Sequence, residues 1–81
     1  MKLPSHILYR LDLEMEGLPL KLLKKLLCGK VKDGKVEVYT NTIFFIRHVD
    51  KKVIIVQDDL MEFEDFPCPE SEFMGFLEGR Y

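Results

Sequence analysis

At 81 residues the chain has room for one domain with a modest core, near the lower limit of independent folding. A composition of 47% hydrophobic and 32% charged residues excludes a disordered or low-complexity chain, which could not bury enough apolar surface to fold. The net charge is −2, and no apolar run approaches the ~20 residues a bilayer-spanning helix requires, so no membrane partner is expected.

Chain order begins with Met1-Lys2-Leu3-Pro4-Ser5, where Pro4, then Arg10 and Asp12, interrupt any apolar leader. A cytoplasmic protein with Cys28 and Cys68 as free thiols is the expectation. From Ile7 to Met15, the residues Ile7, Tyr9, Leu11, Leu13 and Met15 alternate with Leu8, Arg10, Asp12 and Glu14. This period of two predicts a half-buried strand. Gly17 breaks the pattern, and Pro19 stands where a helix can begin.

Leu20 to Cys28 sets Leu20, Leu22, Leu23, Leu26 and Leu27 on one arc of a helical wheel and Lys21, Lys24 and Lys25 on the other, with Gly29 as a stop. A short basic amphipathic helix follows. Next, Asp33-Gly34 lies between β-prone flanks, the composition of a type I′ hairpin turn, and Val36, Val38 and Thr40 alternate with Glu37 and Tyr39.

Thr42 to Val49 and Lys52 to Gln57, the densest β-formers of the chain, are joined into a hairpin by a tight connection at Asp50 and Lys51. In the first, Phe44, Ile46 and His48 share one face, and Ile43, Phe45, Arg47 and Val49 share the other. Both faces are apolar. Asp58 and Asp59 predict a turn, Leu60 to Asp65 a short acidic edge strand, and Pro67 and Pro69 its end. Pro69 with Glu70, Ser71 and Glu72 then opens a second short helix, with acids in its first turn and Gly79 as its stop. The predicted fold is α+β: a small antiparallel sheet in the order β-α-β-β-β-β-α, with two short helices on one face. The alternative is a small SH3-like curled barrel.

Two short helices cover about one face of such a sheet. The other face, assigned to Ile43, Phe45, Val49, Val53 and Ile55, is then free to bind, and a homodimer or a protein partner is expected there. Charge is segregated along the chain. Lys21, Lys24, Lys25, Lys30, Lys32 and Lys35 oppose only Asp33 between positions 21 and 35, and eight acids with no base lie between Gln57 and Glu78. The lysines are a possible nucleic-acid surface. Asp58, Asp59, Glu62, Glu64 and Asp65 are a possible docking surface for a basic partner.

No motif marks an enzyme. His6, Cys28, His48 and Cys68 carry none of the short ligand spacings of a zinc site, and the acidic run lacks the glycine and spacing of a calcium loop. No metal and no cofactor is expected. The function expected is that of a non-enzymatic binding or regulatory module.

Overall fold

A computed structural model of the chain describes residues 4–14 and 20–79. The break expected at Gly17 and the helix start expected at Pro19 lie outside the described residues. The elements run α1 (Ser5–Glu14), α2 (Leu20–Leu27), β1 (Lys35–Tyr39), β2 (Ile43–His48), β3 (Val53–Asp58), β4 (Phe66–Pro69) and α3 (Glu70–Gly79). The four strands form an antiparallel meander in the order β1-β2-β3-β4. β1 and β4 are its two edges, so the sheet is open and the barrel alternative does not hold.

The first element is a helix, not the expected strand. Ile7 and Leu11, one helical turn apart, are almost wholly buried, whereas Tyr9 and Leu13, which a strand would have aligned with them, are 65% and 50% exposed. The window satisfied a period of two and an i, i+4 pair at once. Leu8, stranded among polar residues in the alternating reading, packs against the core as a helical neighbour of Ile7 and Leu11. Pro4 supports the start by accepting from the N–H groups of Ile7 and Leu8, both at 3.0 Å.

The helix expected from the leucine-lysine pattern is present. Leu23 and Leu27 are fully buried, while Leu22 and Leu26 flank the stripe and are partly exposed. The Asp-Gly turn also forms. Asp33 and Gly34 take φ of 54° and 76°, the left-handed pair of a type I′ turn, and Lys32 and Lys35 exchange backbone bonds of 2.8 and 3.1 Å. Pairing stops after that single bridge.

Between β2 and β3 runs a four-residue loop, Val49 to Lys52, whose last residue takes φ of 54°. The last strand comes later than expected, at Phe66–Pro69 rather than Leu60–Asp65. After β3 the Asp58 carboxylate accepts from the N–H groups of Leu60 (3.0 Å) and Glu62 (2.7 Å). A side chain thus replaces the ladder as partner of that backbone, and the segment coils. The prolines that were expected to end pairing lie within the edge strand instead. Glu70 N–H donates to the Lys52 carbonyl at 2.8 Å, which by alternation turns Pro67 and Pro69 away from β3, where no ladder donor is needed.

All three helices cover one face of the sheet. Ile7, Leu11, Leu23, Leu27, Phe73 and Leu77 pack on Val36, Val38, Ile43, Phe45, Ile54, Val56 and Cys68 to form one core.

Candidate interaction surface

The register decides which residues face away from the helices. Directly paired residues point to the same side of an antiparallel sheet, and the pairs define three rows across the open face. Lys35, His48, Val53 and Pro69 form one row; Glu37, Ile46, Ile55 and Pro67 the next. Tyr39, Phe44 and Gln57 form the third, continued by Asp65, which accepts from Gln57 Nε2 at 3.1 Å. Phe44, Val53 and Ile55 are half-buried and Tyr39 is exposed. Ile46, at the centre, is 9% exposed but stands apart from the helix-packed core. Its neighbours on the sheet surround it. Among the described residues no helix lies over this face.

The open face is therefore not the one the sequence suggested. Ile43 and Phe45 are 0% exposed beneath the helices and form core, not interface. Val49 is half-buried in the β2–β3 loop, where its N–H donates to the Gly34 carbonyl at 3.0 Å. Val53 and Ile55 do lie on the open face, together with Phe44, Ile46 and Tyr39, which sequence reasoning missed. One signal, the even length of the β2–β3 connection, could have found them. A four-residue loop makes the paired numbers sum to an odd total, so Ile55 pairs with Ile46 and not with Phe45. Arg47 marks the covered side: its Nη1 donates to the Leu27 carbonyl at the end of α2 (3.0 Å), and its Nε donates to Glu70 at the start of α3 (2.5 Å).

The lysines do not form one patch. Lys21 and Lys25 are exposed on α2, Lys24 pairs with Glu78 on α3, Lys30 and Lys32 lie in the connection to β1, and Lys35 sits on the open face. The acids divide similarly. Asp58 is buried and belongs to no docking surface, because both of its oxygens hold Arg10. That hydrogen-bonded guanidinium pulls the Asp58 carboxyl down to about 2, against the cost of burial. Glu62 accepts from Arg10 at 3.1 Å, Asp59 accepts from the Tyr39 hydroxyl at 2.5 Å, and Glu64 is exposed.

Two depressions flank the Met61–Asp65 segment. One, of about 380 Å³, is lined by Asp58, Met61, Glu62, Phe63, Glu64 and Asp65. The other, of about 170 Å³, is lined by His6, Tyr9, Arg10, Glu62 and Phe63. Arg10 lies 5.8 Å from the centre of the Phe63 ring and His6 meets the same ring edge-on, so these side chains hold α1 against the loop. Cys68 lies in the core on the helix side, its thiol pushed up by burial, and His48 lies on the open side. The sheet separates them as nucleophile and base. No group of three metal-ligating side chains exists among the described residues, and no helix among them is long and apolar enough to cross a membrane.

No protein-family model, no curated protein and no solved structure matches this chain.

Proposed function

We propose that this protein is a small non-catalytic interaction module that binds another protein surface through the open face of its sheet. A single observation carries the reading: Phe44, Ile46, Val53 and Ile55 form a contiguous apolar block on the side opposite all three helices. None of the four belongs to the cluster packed by the helices, and contiguous apolar patches on one face mark contact surfaces. The rim is polar, with Lys35, His48, Gln57 and Asp65 around the block, the usual layout of an interface.

The test is solvent access to this block. In a dilute sample, a soluble paramagnetic probe should broaden the methyl signals of Val53 and Ile55 and spare those of Ile54 and Val56. Protection of all four in a monomer would mean that the chain covers the face itself, and would refute the reading.

A further inference from the structure

We propose that the occupant of the open face is a second copy of this chain, packed face to face about a two-fold axis that runs across the strands; this rests on the reading of the open face as a contact surface. The two ends of the face carry opposite charge. At one end lie Lys35 and His48, bordered by the Asp33-Gly34 turn and the Val49–Lys52 loop; that end holds Lys32, Lys35, Lys51 and Lys52 against Asp33, Asp50 and Glu70, the last of them already paired with Arg47. At the other end Asp59 is tied to Tyr39 and Asp65 to Gln57. The loop beyond it, residues 59–65, contains Asp59, Glu62, Glu64 and Asp65 and no base.

Self-packing of the face has two simple orientations. An axis along the strands lays the basic end of one copy on the basic end of the other, and the acidic ends likewise. An axis across the strands reverses one copy, placing Lys35 over Tyr39 of the second, Lys51 over Asp59, and Ile46 and Ile55 over their own counterparts. Only the second orientation brings opposite charges together while keeping the apolar block apposed. Glu37, at the β1 margin of the middle row, then lies near its counterpart, and the ~30° angle usual between packed sheets displaces the two from direct opposition.

The area sets the strength. Four strands about 4.8 Å apart and five residues at about 3.4 Å each give a face of roughly 300 Å², well below the ~800 Å² per partner of a standard stable interface. The dimer is therefore weak, in concentration-dependent exchange with monomer.

Sedimentation and NMR shift titrations of the full chain from about 10 μM to 1 mM test the proposal. The wild type should self-associate, less so as salt rises, with the largest shifts at Ile46, Val53 and Ile55. Lys51→Glu and Asp59→Lys should each weaken self-association tenfold or more. An equimolar mixture of the two should recover it, because each reversed residue then meets the other. A wild type that stays monomeric at 1 mM overturns the proposal, as does a mixture no stronger than either variant alone. If a variant loses its cooperative melt, the concentration and salt dependence of the wild type decide alone. A monomer whose Val53 and Ile55 methyls remain open to the paramagnetic probe removes the second copy but keeps the contact face. A monomer in which they are protected removes both.

Discussion

Arg10 and Asp58, 48 residues apart, are joined by two parallel hydrogen bonds of 2.7 and 2.8 Å, with the Asp58 side chain wholly buried. The same guanidinium donates to the Thr42 hydroxyl at 2.7 Å, and the same carboxylate accepts from two backbone N–H groups of the following loop. One turn along α1, Glu14 accepts from the Thr40 hydroxyl (2.7 Å) and from the N–H groups of Thr42 (2.6 Å) and Ile43 (3.1 Å). Two side chains of α1 thus fasten the helix to the ends of three strands. Asp58→Ala should destabilise the fold by roughly 3 kcal/mol, because it strands a largely buried guanidinium and two loop donors. Urea unfolding of the variant against wild type measures this.

These carboxylates also set the acid limit of stability. Asp58 is held at about 2, below its ordinary value of 3.8. Glu14 is also lowered: burial pushes it up, and the hydrogen bonds from Thr42, Thr40 and Ile43 together outweigh that. A carboxyl depressed on folding contributes stability that is complete above its unfolded pKa and is lost as pH falls through its folded one. Stability should therefore hold from neutral pH to about 5 and decline steadily between about 4 and 2. Asp58→Asn should flatten that decline in urea midpoints measured across the range.

What was legible in the sequence follows from how local each signal is. The leucine stripe of α2, the Asp33-Gly34 turn, the β2–β3 hairpin and the acidic start of α3 all rest on residues within a turn or two of each other, and each is found in place. The misread segments depend on distant partners. Ile7 to Glu14 fits both periods, and its helical state is fixed by Arg10 and Glu14 reaching residues about 30 to 50 positions away. Leu60 to Asp65 resembles an edge strand until Asp58 claims its backbone donors. The covered face depends on distant partners as well: Arg47, a charged residue on the Ile43 and Phe45 side of β2, bonds the end of one helix and the start of another.

Arg47 gives a test of that role. Its fork bonds in two directions, to a carbonyl at the end of α2 and to Glu70 at the start of α3. Arg47→Ala should cost about 1.5–3 kcal/mol, the range for hydrogen bonds to a charged group. Arg47→Lys should recover little of it, since a single ammonium does not reproduce the planar, two-way geometry. Thermal melts of the two variants, side by side, give the comparison.

The thiols should differ in reactivity. Cys28 is exposed and Cys68 is buried with its thiol raised by that burial. In native buffer an aromatic disulfide reagent should titrate one thiol at once, and the second should react only at the rate of unfolding or after denaturant is added. Cys28→Ser should abolish the fast phase. Two fast equivalents would mean that the core around Cys68 opens readily.

Two adjacent layers of the β2–β3 hairpin give the sharpest contrast between core and open face. Phe45 is fully buried between Val56 and the α3 residue Phe73, whose ring centre lies 6.0 Å away. Phe45→Ala should cost about 3–5 kcal/mol through lost burial and the cavity left behind. Ile55, on the opposite face, is only half-buried by its sheet neighbours. Ile55→Thr keeps a β-branched side chain in the strand and removes apolar contact only on the open side, so its cost in a dilute monomer should stay within ~1 kcal/mol. The same substitution removes part of the block proposed to bind, so its principal effect should appear in association and not in the melt. Equal losses of stability for the two variants would show that a second layer covers Ile55 within the monomer.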